Sequence, residues 1–242
     1  MFSWLSEWKT VIDWLFPRIC PGCRRHSDRE GRLICWGCFS SISLFTESLC
    51  DRCGRFVTGQ VQHRFICSSC VSEPPAYDRA RAAAHFGGFL RELLHRFKYQ
   101  KGVYLCEDLA DLLEGTVRAH FDAAAVDVVV PVPLHPLRLR ARSYNQAALL
   151  AESLGRRLGR RVDTVSLQRV RFTGTQTRLH RAARRENMKG AFSVARPAWL
   201  RHRTVLLVDD VMTTGATFDA CARALKKAGV WRVWCVAVAR GE

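Results

Sequence analysis

The chain has 242 residues, 48% of them hydrophobic, enough to bury a packed core and to exclude global disorder. No apolar run approaches the roughly 20 residues that cross a bilayer, and the N-terminus has no signal-peptide layout, so no transmembrane segment is expected and the expected compartment is the cytoplasm. Lysine and arginine number 38 against 22 acids, a formal charge of +16. That excess favours polyanionic partners such as nucleic acid, phosphorylated small molecules or an anionic membrane face, although an arginine-rich solvated surface gives the same balance.

In chain order, "MFSWLSEWKTVIDWLF" places Trp4, Leu5, Trp8, Val11, Ile12 and Leu15 on one helical stripe that Pro17 stops, an amphipathic helix over 1–19. Such a stripe more often docks on its own protein than on a membrane or a partner. Residues 20–73 follow as a cysteine-rich module. Disulfides rarely persist in a reducing compartment, so clustered cysteines there point to metal or redox chemistry. Cys20/Cys23, Cys35/Cys38, Cys50/Cys53 and Cys67/Cys70 form four CxxC knuckles with gaps of 11, 11 and 13 residues. Two thiolates two residues apart reach one ion from a tight turn, and two such turns complete a tetrahedral site. Eight ligands thus suit two structural Zn2+ ions, and a region this short needs such staples to fold. Pairing knuckle one with two and three with four is the simpler arrangement; a cross-braced pairing of one with three stays open. His26 and His63 are spare ligand candidates that read more naturally as surface histidines. Sites closed by four cysteines keep no open position and are structural rather than catalytic.

Pro74-Pro75 marks a linker, and 76–242 reads as a second domain. "RARAAAHF" is a strand, "FLRELLHRFKY" an amphipathic helix carrying Leu90, Leu93, Leu94 and Phe97, and "LCEDLADLLEGTVRAHF" a second helix. "VDVVV" is a short continuous apolar run of the kind found in parallel strands covered on both faces. "SYNQAALLAESLGRRL" is helical, with Gly159 near its end. Residues 170–190 are polar and arginine-laden, a mobile loop or exposed helix. "TVLLVDD" is a strand, "ATFDACARALKKAG" a helix and "VWRVWCVAVA" a closing strand. The alternation implies an α/β fold with a mostly parallel sheet flanked by helices. Cys106, Cys221 and Cys235 read as small core residues.

The most informative stretch runs from Thr204 to Thr217. A buried strand delivers Asp209 and Asp210, then a loop with three threonines around Gly215, then a helix. Successive backbone N–H groups beside a glycine at a helix N-terminus form a nest for a phosphate dianion, and the hydroxyls of Thr213, Thr214 and Thr217 add donors. The two acids cannot face the phosphate favourably, so they should meet hydrogen-bond donors, and vicinal sugar hydroxyls meet that need. A plain acidic turn with a threonine N-cap is the alternative for a bare acid pair.

"VLLVDDVMTTGAT" resembles the phosphoribosyl-pyrophosphate (PRPP) signature of the type I phosphoribosyltransferases. "VVVPVPLHPLRLRARSYNQAALLA", "RFTGTQTRLHRAARRENMKGAF" and the four-knuckle start resemble the ComF family, which includes competence proteins, over essentially the full length. The resemblance implies a type I phosphoribosyltransferase fold behind a zinc-ribbon module. Asp209 and Asp210 would bind the ribose hydroxyls, while Thr213, Thr214, Gly215, Ala216 and Thr217 cradle the 5′-phosphate. "PVPLH" would be the pyrophosphate loop, with Arg138, Arg142, Asn145 and Gln146 nearby, and Mg2+ would bridge pyrophosphate and ribose oxygens. Arg142 joins the acid pair as a candidate catalytic residue, since its planar fork grips phosphate oxygens. Lys98 is a further phosphate candidate, and Gln176, Arg184 and Asn187 correspond to a loop that closes over PRPP.

Thr213 stands where purine-salvage relatives carry an aspartate that acts on the base, which weighs against a purine acceptor. The implied partners are PRPP or a related sugar phosphate, single-stranded DNA and competence-machinery proteins. Arginine-rich stretches at 138–142, 156–161 and 169–185, and ribbon aromatics Trp36, Phe39, Phe56 and Phe65, are the features that suit DNA, although such aromatics more often fill the small core around zinc. A salvage-type phosphoribosyltransferase and a non-catalytic zinc-ribbon scaffold are the competing expectations.

Overall fold

The computed structural model describes residues 17–45, 48–57, 59, 64–172 and 188–241. The helix expected before Pro17, His63, and the expected loop residues Gln176, Arg184 and Asn187 lie outside them.

The cysteine-rich module contains short helices α1 (Trp36–Ser40) and α2 (Ser68–Ser72), each starting directly after a cysteine, Cys35 or Cys67. Next comes β1 (Arg79–His85), then α3 (Gly88–Tyr99), α4 (Cys106–His120), β2 (Val128–Pro131), α5 (Pro136–Arg142), α6 (Gln146–Leu158) and the short β3 (Arg161–Val162). The hairpin β4 (Leu167–Arg169) and β5 (Phe192–Val194) follows, then α7 (Pro197–Leu200), β6 (Thr204–Met212), α8 (Ala216–Lys227) and β7 (Arg232–Arg240). The main sheet is five-stranded in the order β1-β7-β6-β2-β3, and every pairing in it is parallel. The antiparallel β4–β5 pair is separate and has only three residues per strand, too few for a periodic signal in the sequence.

Covering both faces of the sheet explains its apolar runs. Successive side chains on β6 point to opposite faces. Leu206 and Val208 join Leu90, Leu93, Leu94 and Phe97 of α3, Leu109 and Leu113 of α4 and Leu150 and Leu154 of α6 in one core. Val205 and Leu207 join Phe218, Cys221 and Leu225 of α8 and Leu167 and Phe192 of the hairpin in the other. Cys221 and Cys235 are fully buried there, as expected of small core residues.

The cysteine-rich module straddles this sheet. Cys20, Ile34 and Ile42 pack into the α3–α4–α6 core, whereas Cys50, Cys53, Cys67 and Cys70 pack into the α8 core. Between them, residues 43–45 run antiparallel to β1: Phe45 N donates to Ala83 O at 3.1 Å and His85 N to Ser43 O at 2.9 Å. The module thus covers the one edge of the sheet that β1 would leave unpaired. A buried charge cluster locks its first half to α4. Arg29, 7% exposed, donates to Asp108 Oδ1 at 3.0 Å and also bonds Asp111, and Asp108 accepts from the backbone of Leu33 and Ile34. The Arg29 guanidinium stacks 4.0 Å from the Phe39 ring and 4.8 Å from that of Trp36, which engages both aromatics within the module. No helix among the described residues is long and apolar enough to cross a membrane.

Candidate functional site

The eight knuckle cysteines gather as two clusters, Cys20/Cys23/Cys35/Cys38 and Cys50/Cys53/Cys67/Cys70, each with its four sulfurs within 4.8 Å of one another. Neighbouring knuckles therefore pair in sequence, and the cross-braced alternative does not occur. The edge of a tetrahedron with Zn–S bonds of about 2.3 Å is about 3.8 Å. Cys23 Sγ lies 3.6 Å from Cys35 Sγ and Cys53 Sγ 3.8 Å from Cys67 Sγ, so the donor sets fit zinc. The clusters share a second feature: Cys35 N points at Cys20 Sγ, 3.5 Å away, and Cys67 N at Cys50 Sγ, 3.3 Å away. N–H groups aimed at sulfur favour thiolate. The backbone at Arg25 leads the groups that bring Cys23 down to about 6.

At the carboxyl end of the sheet, β6 ends at Met212, and Thr213, Thr214 and Gly215 turn the chain into α8. Gly215 occupies the N-cap with φ +80°, a left-handed conformation that only glycine adopts freely. A methyl group there would sit 2.8 Å from Met212 Cε and 3.0 Å from the Tyr77 hydroxyl, so the turn also leaves no room for one. Thr214 Oγ1 lies 3.4 Å from Ala216 N. Asp209, Thr213, Thr214, Gly215, Ala216 and Thr217 line one small cleft.

Adjacent residues on a strand face opposite ways, and the two acids divide accordingly. Asp209 belongs to the cleft, on the α8 side, and accepts from Asp210 N at 2.9 Å. Burial and then the neighbouring Asp210 push its carboxyl up to about 8, with Lys98 pulling the other way. Asp210, 6% exposed, faces α3, where Lys98 Nζ lies 2.9 Å from its Oδ2. Burial works against the Lys98 charge, but Asp210, with Asp209 behind it, offsets this and raises the ammonium above the usual lysine range. Lys98 therefore stands as the counter-charge of Asp210.

The turn after β2 lies next to this loop because Pro131 pairs with Val208 and Val132 N donates to Val208 O at 2.9 Å. Asn145 caps α6 by accepting from Ala147 N and donates to Val132 O at 3.1 Å, which pins the start of α6 to that turn. Arg142 uses its fork on two partners, Gln146 Oε1 at 3.2 Å and the Tyr99 hydroxyl at 3.0 Å, and lies 4.9 Å from the Tyr99 ring. Gln146 in turn donates to Lys98 O at 3.4 Å, and the Tyr144 hydroxyl bonds Phe97 O. Arg138 lies 5.8 Å from the Phe172 ring, and burial and then the nearby Arg142 charge lower its pKa. Beside the turn is a cavity of about 620 Å3 bordered by Pro131, Pro133, Leu139, Asn145 and Arg169.

The fold thus joins Lys98, Asp210, Arg142, Asn145 and Gln146 through α3 and α6, and Asp209 with Thr213–Thr217 through the β6–α8 turn. Sequence reasoning missed Tyr77, Tyr99 and Tyr144. Tyr99 stands beside Lys98 in "FKYQKG" and is the one with a local signal, an aromatic in a basic helix end.

Residues 11–71 match the family described as double zinc ribbon domain, and residues 144–242 the family described as phosphoribosyl transferase domain. Over 228 residues the chain is 34% identical to the Competence protein F of Haemophilus influenzae, covering 91% of this chain and 96% of that protein. The chain belongs to the ComF family. Other ComF-like relatives are the DNA utilization protein YhgH of Escherichia coli (strain K12), 32% identical over 83% of this chain and 90% of that protein, and the Competence protein ComFC of Bacillus subtilis, 25% identical over 81% and 79%. The phosphoribosyl transferase match begins after β2, yet in this ComF protein β1 and β2 belong to the same parallel sheet, so the fold unit reaches back to Arg79.

Proposed function

We propose that this ComF protein binds PRPP with Mg2+ on the β6–α8 turn and supports the handling of incoming single-stranded DNA in natural transformation, with residues 20–73 as its double zinc ribbon and 76–242 as its phosphoribosyltransferase-like domain. The observation that carries the PRPP reading is the glycine-capped turn at the carboxyl end of a parallel sheet, side by side with the Pro131–His135 turn. Backbone N–H groups of Thr213–Thr217 hold the 5′-phosphate, and Asp209 accepts from ribose hydroxyls. Asp210 acts from the other face through Lys98, and Arg142 with Arg138 receives the pyrophosphate. Once ionised, the partly buried Asp209 carboxyl would offer the hard oxygen donors that Mg2+ selects, and the ion would neutralise charge on the pyrophosphate. Displacement of pyrophosphate from C1 by a nucleophile is the chemistry such a site serves; these arginines would stabilise the negative charge that builds on the departing group.

The DNA reading draws on the relatives' names, which speak of competence and DNA utilization. A specific surface favours it. At the amino ends of the strands, opposite the phosphate turn, Trp231 is 64% exposed with the Arg232 guanidinium 4.7 Å from its ring, and Arg203 lies 4.1 Å from the Trp199 ring. Alternating cations and aromatics suit a single strand, whose backbone is anionic and whose bases stack.

Calorimetry with PRPP and Mg2+ tests the first reading: Asp209→Ala/Asp210→Ala should abolish binding, and unchanged affinity refutes it. A gel shift with single-stranded DNA at two ionic strengths tests the second, since binding through phosphates weakens steeply with salt. Trp231→Ala should cost roughly tenfold in affinity if a base stacks there; no binding even at low salt removes the reading.

A further inference from the structure

The second cysteine cluster and Met212, the residue that leads into the phosphate turn, touch the same side chain. Arg240 closes β7 and pairs in register with Met212, the last residue of β6 before the turn. Its Nη1 donates to the carbonyl of Cys53, a ligand of the second cluster, at 2.7 Å, and also reaches Met212 Sδ at 3.4 Å. Gly241 N, the next amide, donates to Met212 O at 2.9 Å. Met212 and Tyr77 are the side chains that crowd Gly215. Tyr77 is 2% exposed and packs in the same core as Cys50, Cys53, Cys67 and Cys70.

The knuckle itself is seated firmly on the sheet. Gly54, at φ +66°, brings the knuckle so close to β1 that a methyl group there would lie 2.4 Å from Ala80 O. Ala80 N donates to Arg52 O at 2.8 Å, and Arg81, 4% exposed, donates to the carbonyls of Cys50 at 3.2 Å and Asp51 at 3.1 Å. The carbonyls of this knuckle therefore face two arginines, Arg81 and Arg240. Their positions depend on the knuckle backbone that a metal on Cys50 and Cys53 would hold in shape.

We propose that Arg240 is a positioning residue for the phosphate turn, and that through it the Cys50/Cys53/Cys67/Cys70 cluster holds the Thr213–Ala216 backbone in its anion-binding conformation. The proposal rests on the reading of that turn as the PRPP phosphate site, but it concerns the order of the turn and can be read without ligand. The anchor of the first cluster leads elsewhere: among the described residues, Arg29 bonds Asp108 and Asp111 of α4.

The test uses the full chain with Arg240→Met, which keeps apolar bulk and removes the bond to Cys53 O, with Arg240→Lys, which keeps a charged donor, and with Arg29→Met as the control at the first cluster. Amide hydrogen exchange of Thr213–Ala216 is measured without ligand, zinc content is measured by release on denaturation, and PRPP with Mg2+ is titrated by calorimetry. With zinc content unchanged, Arg240→Met should speed exchange in the turn and weaken PRPP binding by about tenfold, the loss expected when a charge-assisted bond is removed. Arg240→Lys should recover most of both, and Arg29→Met should change neither. Unaltered exchange in Arg240→Met overturns the proposal, as does an equal increase in Arg29→Met, which would mark general loosening. If the unmodified chain takes up no PRPP, the phosphate reading alone falls, and the exchange arm still decides the coupling.

Discussion

Substituting alanine for Gly215 probes the cradle at its tightest point. Two costs add. Holding a residue with a β-carbon at φ +80° costs about 1 kcal/mol. The new methyl would lie 2.8 Å from Met212 Cε, the free end of a flexible chain that can swing aside, and 3.0 Å from the hydroxyl of Tyr77, whose ring is 2% exposed and cannot. Relieving that second contact by backbone shift costs about another 1 kcal/mol. The sum, about 2 kcal/mol, should lower Tm by about 4–8 °C for a chain of this size. Urea unfolding followed by circular dichroism gives the free energies. The double variant Gly215→Ala/Tyr77→Phe separates the two costs, because losing the hydroxyl frees the steric part and leaves the conformational part. The cycle should therefore show about 1 kcal/mol of favourable coupling. Additive single effects, or a Gly215→Ala chain as stable as the unmodified one, would refute the reasoning.

A carboxyl raised to about 8 binds its proton more tightly in the folded chain than in the unfolded one, so the Asp209 contribution to stability is complete at acid pH and is lost as pH climbs toward 8. Stability of the unmodified chain relative to Asp209→Asn should consequently fall between pH 5 and pH 8, as read by urea unfolding; a pH-independent difference contradicts the raised pKa. Over pH 6.5–8.5 the PRPP affinity of the unmodified chain should rise as Asp209 becomes an acceptor. Arg142→Lys should weaken PRPP binding by about tenfold despite keeping the charge, because one ammonium cannot serve Gln146 and Tyr99 and still present a planar fork; equal affinity by calorimetry would remove Arg142 from the site. Zinc released on denaturation should amount to about two ions per chain and fall to about one in Cys38→Ser, since the clusters share no ligand. Loss of both ions from that single substitution would show the clusters to be interdependent.

Those features of this protein that are built from neighbouring residues are legible in the amino-acid sequence itself. A CxxC knuckle carries its two thiolates in one turn, so eight zinc ligands announce themselves by spacing. The β6–α8 turn likewise spells strand, acids, glycine and helix in one stretch of chain, and apolar runs such as "TVLLVDD" reflect burial on both faces of a sheet. Tertiary structure alone decides the rest. Spacing leaves the knuckle pairing open because both arrangements satisfy the same ligand chemistry; packing the two ribbons against opposite cores of the sheet separates them into sequential pairs. Nothing in "FKYQKG" shows that α3 brings Lys98 to Asp210, and nothing near Arg240 hints that its guanidinium lies on Cys53, 187 residues away in the chain. Contacts of that separation leave no periodicity or motif, since each partner is only an ordinary arginine, lysine or carbonyl until the folded sheet sets them side by side.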